Sequence, residues 1–292
     1  MRARQLAATS LPPWTRRSLV IATRAAPRVA AELRVHAGLP GGLPDYLVIG
    51  AQRCGTTYLH ALLTAHPDVV APLTKEVEFF DRNWHRGVPW YRSHFPQGRA
   101  HGQDLPAAIT GEASPSYLFH PDAPQRVREI LPAPRLIVLL RNPVDRAYSH
   151  YLHAVRLGFE RRLFEDAIAH EEHHCDFGTQ RRSDDQFSQT RHYSYLARGR
   201  YVDQLDDWTA YFPGHCLLIL RSEDFYADVR GILREVTDHI GVSPWQPDAL
   251  PSPKTFRHPP MCQSTRDRLL AHFRPHNERL QEGLGRDMCW DT

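Results

Sequence analysis

The chain has 292 residues, long enough to bury a full core, and its 41% apolar and 24% charged residues give a globular balance that excludes wholesale disorder. A formal charge of +3 is too small to argue for a nucleic-acid partner, and no stretch approaches the roughly 20 apolar residues of a membrane span. Five cysteines without paired spacing (Cys54, Cys175, Cys216, Cys262, Cys289) make no disulfide framework and point to a reducing, cytoplasmic compartment.

Residues 1–42 carry seven arginines (Arg2, Arg4, Arg16, Arg17, Arg24, Arg28, Arg34) against one acid, Glu32, and read as a basic tail. Arginines within Ser18 to Ala31 spoil a signal-peptide core. The Gly/Pro-rich run from Gly38 to Pro44 reads as a linker, which places the main domain at 43–292. Asp45 to Gly50 reads as a short buried strand entering a glycine turn, and Thr56 to Thr64 carries Tyr58, Leu59, Leu62 and Leu63 at helical spacing. Arg135 to Arg141 is a second apolar strand, with Pro143 in the first turn of the helix after it. Cys216 to Leu220 is a third, followed by a helix from near Phe225 to Ile240 and a last helix from Ser264 to Phe273. Cys175 to Arg191 is polar and reads as an exposed loop. Short apolar strands separated by helices predict an α/β, three-layer fold of the P-loop type, a central parallel sheet flanked by helices.

The segment Gly50-Ala-Gln-Arg-Cys-Gly55-Thr56-Thr57 has the glycine spacing of a Walker A loop, and it follows a predicted strand and opens a predicted helix. Backbone N–H groups and a helix N-terminus in that context cradle an anion. Thr56 stands where an NTPase has its lysine, and the cation, Arg53, comes three residues earlier, so the Mg²⁺-ATP apparatus is incomplete. Arg141 ends a strand and offers a planar fork for phosphate oxygens, with Ser149 eight residues on in the next helix.

Three stretches in order, from Tyr46 through Leu59, from Leu63 to Val69, and Lys75-Glu-Val-Glu-Phe-Phe-Asp81, resemble the sulfotransferases that use PAPS (3′-phosphoadenosine-5′-phosphosulfate), most of all the heparan sulfate O- and N-sulfotransferase branch and its bacterial relatives. The resemblance runs from about Pro44 to near the C-terminus. It implies that Arg53, Cys54, Gly55, Thr56 and Thr57 hold the donor's 5′-phosphosulfate, and that Arg141 and Ser149 hold its 3′-phosphate. Lys254 and Arg257 match more loosely a late basic loop that closes over the nucleotide. Glu76 falls at the general-base position, Lys75 or Arg53 would stabilise charge on the bridging oxygen, and Glu78 would share a face with Glu76 in an extended segment. PAPS is then the co-substrate, PAP the product, and no metal is required. One departure stands out: in Gly111-Glu-Ala-Ser-Pro-Ser-Tyr117 the family's frequent lysine is Ala113, which leaves Glu112 as a candidate substrate-side carboxylate.

His170-Glu-Glu-His-His174 contains the zinc-protease string H-E-x-x-H, but no glutamate follows between Glu172 and Glu223, and the preceding Leu163, Phe164, Ala167 and Ile168 make it the polar end of an amphipathic helix. Trp84, Trp90, Trp208 and Trp245 read as core, with Trp84 and Trp90 also candidates for an acceptor wall. The expected partner is a small-molecule or glycan acceptor. A P-loop kinase or NTPase, and an inactive nucleotide-binding relative of the same fold, are the competing readings. Only two lysines, Lys75 and Lys254, amid abundant Arg, Ala and Pro suggest a bacterial, GC-rich genome.

Overall fold

A computed structural model describes residues 26–27, 29–39, 41–96, 108–174, 192–252 and 259–290. Lys254, Arg257 and the loop expected at Cys175 to Arg191 lie outside them, as does most of the basic tail. Strand β1 (Tyr46–Gly50) is buried at every residue, as its unbroken apolar run requires. Helix α1 (Thr56–Leu63) follows, then edge strand β2 (Val69–Val70) and helix α2 (Gly87–Arg92). Next come β3 (Ile109–Ala113), α3 (Ala123–Ile130), β4 (Arg135–Leu140), α4 (Pro143–Leu157) and α5 (Phe164–His174). The chain continues through α6 (Tyr201–Thr209), β5 (Leu217–Arg221), α7 (Ser222–Ala227), α8 (Val229–Ile240) and α9 (Gln263–Leu284).

The five strands form one parallel sheet in the order β2-β3-β1-β4-β5, the expected α/β architecture. α1 packs on β1 and β3, and α8 on β4 and β5. A second apolar cluster joins α4, α5 and α9 through Val144, Ala147, Phe164, Ile168, Leu269 and Phe273. After β1 the chain turns toward β3 and β2; after β4 it turns the other way, toward β5. The sheet's topological switch point therefore lies between β1 and β4, where α/β folds bind ligands beyond the carboxyl ends of their strands.

Two helices differ from expectation. The one after β5 is split at Asp228, whose Oδ1 accepts from Gly231 N–H at 2.9 Å and caps a fresh start. α9 runs through Pro275 to Leu284, eleven residues beyond its predicted end. The described residues just upstream of residue 43 are docked. Residues 29–36 are helical, Ala31 is fully buried, and Arg34 Nη1 donates to the carbonyls of Ser93 and Phe95 at 3.1 and 3.2 Å.

Candidate functional site

The loop leaving β1 meets α1 at Gly55, which stands at the helix N-cap with φ +96°. Only glycine adopts that backbone without cost, and a Cβ there would lie 3.0 Å from the Tyr226 hydroxyl. No side chain caps α1, so its first N–H groups face the space beyond the switch point. Thr56 is buried at this helix start and Thr57 is exposed. Cys54 contributes differently from its expected part. Its thiol is fully buried toward Tyr201, its carbonyl accepts from Ser222 Oγ at 2.6 Å, and its own N–H closes the turn onto Ala51. Burial pushes the thiol up to about 11, so it anchors the loop and offers neither thiolate nor hydrogen to a ligand.

Arg53 (φ +73°) is the link between the two halves of the site. Its Nε donates to Ser149 Oγ at 3.2 Å, joining the β1–α1 loop to α4 across 96 residues of sequence. α4 starts sharply because Asn142 Oδ1 accepts from Val144 N–H at 3.0 Å and Pro143 fixes the first turn. Arg141 sits just before this cap, its carbonyl accepting from Tyr201 Oη at 2.9 Å. Burial first, and then the neighbouring Arg156 and Arg141, lower Arg53 to about 10. Arg53, Arg141 and Arg156 thus stand close enough to repel one another, an arrangement that favours an anion between them.

Opposite this cluster stands the segment after β2. Lys75 Nζ donates to Glu76 Oε1 at 2.8 Å, both side chains about one-fifth to one-quarter exposed. His60 on α1 lies within reach of both; burial and then Lys75 hold it neutral, down to about 4. Glu76 and Glu78 both have left-handed backbones, φ +61° and +53°. The expected extended segment with both carboxylates on one face is therefore broken by two strained residues, and the two part company. Glu78 is 4% exposed and accepts from Arg82 Nη1 at 2.9 Å. Glu112 is not open to a substrate either. It is fully buried at the end of β3 and accepts from Tyr91, Tyr117 and Ser114 hydroxyls at 2.7, 2.9 and 2.8 Å.

A family model described as a sulfotransferase domain matches residues 43–254, most of the chain. The chain belongs to the sulfotransferase family. It is 31% identical over 278 residues to the human bifunctional heparan sulfate N-deacetylase/N-sulfotransferase 3, covering 83% of this chain and 30% of that protein. It is 30% identical to the mouse heparan sulfate glucosamine 3-O-sulfotransferase 6, covering 85% of this chain and 74% of that protein. The chain thus spans about 30% of the length of the bifunctional relatives. The crystal structure of a sulfotransferase from Alicyclobacillus acidocaldarius superposes with a TM-score of 0.70 at 28% identity, covering 86% of this chain and all of that one.

This member of the sulfotransferase family has site-lining residues that motif reading passed over. His153 and Arg156 follow Ser149 at i+4 and i+7, so one face of α4 carries all three, a spacing present in the sequence. Arg156 Nη2 bonds His153 Nδ1 at 2.9 Å. The imidazole lies within electrostatic range of Arg53, Arg156 and Glu76; burial first, then the two arginines, lower it to about 3. Tyr226 stands over Gly55 and stacks on Tyr58, with 6.1 Å between ring centroids and 12° between planes. The H-E-x-x-H string turns out to be structural in part: Glu171 is buried and accepts from Leu196 and Ala197 N–H at 2.7 and 2.9 Å. Trp90 and Trp208 are core, while Trp84 and Trp245 are half-buried and packed against it.

Proposed function

We propose that the chain transfers a sulfuryl group from PAPS to a sugar hydroxyl or amine. The observation that carries this is the Arg53–Ser149 bond, which joins the glycine loop after β1 to the helix that follows Arg141, with Arg156 also beside Arg53. A donor with a 5′-phosphosulfate and a separate 3′-phosphate matches that charge pattern. Arg53, Gly55, Thr56 and Thr57 would hold the first and Arg141 with Ser149 the second. Tyr226 and Tyr58 give a stacked aromatic surface beside the loop suited to a purine. As the acceptor oxygen or nitrogen bonds to sulfur, the bond from sulfur to the bridging phosphate oxygen breaks. Glu76 takes the acceptor's proton, and Lys75 and Arg53 balance the charge left on the phosphate. The names of the human and mouse relatives reported above concern heparan sulfate, which supports a glycan acceptor.

Thermal-shift titration tests the donor assignment. PAP raises the melting temperature without metal, and Arg141→Ala removes most of the effect, because a ligand of the native state stabilises by mass action. Stabilisation by ATP only, and only with Mg²⁺, would mean a kinase-type site instead. Glu76→Gln then lowers transfer to N-desulfated heparan sulfate by about 100-fold or more while PAP binding persists, as loss of a general base does.

A further inference from the structure

Two consecutive backbone N–H groups, those of Glu78 and Phe79, reach one buried carboxylate through a hydroxyl each. Glu78 N–H donates to Ser114 Oγ at 3.2 Å, and that hydroxyl donates to Glu112 Oε2 at 2.8 Å. Phe79 N–H donates to Tyr117 Oη at 2.8 Å, and that hydroxyl donates to Glu112 Oε1 at 2.9 Å. From the other side, Asn83 Nδ2 binds the carbonyls of Val77 and Glu78, each at 2.9 Å. The segment held in this way contains the two left-handed glutamates, a conformation that persists only where its surroundings over-determine it.

A carboxylate is the group this arrangement needs. A hydroxyl has one proton to give. Because Ser114 and Tyr117 give theirs to Glu112, their lone pairs are left for the N–H groups of residues 78 and 79. An amide at position 112 would set an NH₂ against one of these hydroxyls and reverse the polarity of that clamp. Burial raises the pKa of Glu112 while the hydroxyl donors, Tyr91, Ser114 and Tyr117, pull it back.

We infer that Glu112 is a positioning residue for sulfuryl transfer: through Ser114 and Tyr117 it fixes the strained segment 76–79 and so aims the Glu76 carboxylate at the acceptor. The role presupposes Glu76 as the base, and the two can fail separately. Tyr91 supplies an internal control, since its hydroxyl also donates to Glu112 but bonds neither N–H group of the clamp.

The experiment compares Glu112→Gln, Ser114→Ala, Tyr117→Phe and Tyr91→Phe, with Glu76→Gln alongside. It reads hydrogen exchange of the peptide spanning Val77–Phe79, PAP affinity by calorimetry, and kcat and KM with N-desulfated heparan sulfate. The first three variants speed exchange at 77–79, lower kcat by about tenfold or more, and leave PAP affinity and KM for PAPS within about twofold, the pattern of lost alignment rather than lost binding. Tyr91→Phe lowers the melting temperature but leaves exchange at 77–79 and kcat near wild type. Should Glu112→Gln fail to fold, the Ser114 and Tyr117 variants carry the comparison. Unchanged exchange in those variants, or a Tyr91→Phe loss of kcat equal to theirs, overturns the inference. Full activity in Glu76→Gln sinks the base assignment alone, and the exchange data still decide the clamp. A wild type that does not use this glycan leaves the decision to exchange.

Discussion

At the scale of single residues, the site is a place where ordinary titration behaviour is suspended. His153 is held to about 3 and His60 to about 4, and His150 is likewise lowered, in each case by burial first. A histidine whose folded pKa lies below its unfolded value of 6.5 stays neutral in the native state while the unfolded chain takes up the proton. Stability from these groups is therefore complete above pH 6.5 and is lost as pH falls toward their folded values. Urea midpoints should fall between pH 7.5 and 5. His153→Gln should flatten that slope by up to one proton's worth, about 1.4 kcal/mol per pH unit. Motif spacing made Arg53, Gly55, Arg141 and Ser149 legible in the sequence. It could not show that Glu78 and Glu112 turn inward, because an acid's burial depends on distant hydroxyls such as Tyr91 that no local pattern connects to it.

At the scale of elements, what could be read followed from periodicity, and what could not followed from tertiary support. β1, β4 and β5 announce themselves as apolar runs. β3 does not: Ile-Thr-Gly-Glu-Ala has no strand pattern, and it is a strand because Gly111 gives room to the Tyr46 ring and the Glu112 charge is satisfied inside. A Cβ at Gly111 would come within 2.5 Å of that ring. α9 outruns its prediction because the residue before a proline disfavours helix, a local bias that burial of Phe273, Asn277 and Leu280 overrides. α4 is the element on which function most depends, since its cap sets Arg141 and its face carries Ser149, His153 and Arg156. Asn142→Ala removes the capping bond to Val144 and should cost about 1–2 kcal/mol in urea unfolding, while weakening PAP.

At the scale of the whole molecule, the sheet order puts the two proposed anion sites on neighbouring strands at the one point where the chain's winding reverses. The same view revises the upstream boundary. With Ala31 buried, Arg34 bonded to two carbonyls and Gly42 N–H donating to Pro96 at 2.7 Å, a chain begun at residue 43 should unfold about 1–3 kcal/mol more easily than one begun at residue 26, measurable by urea melts of the pair. The arginine-rich composition of 1–42 hides the docking of its described residues because their contacts run to backbone carbonyls elsewhere. The Arg53–Ser149 bond has a kinetic side as well. A long, flexible arm that folding has already immobilised need not be recruited when a nucleotide arrives. On the proposed reading, capture should be governed by encounter with the clustered guanidiniums, and its rate constant should fall steeply as added salt screens them.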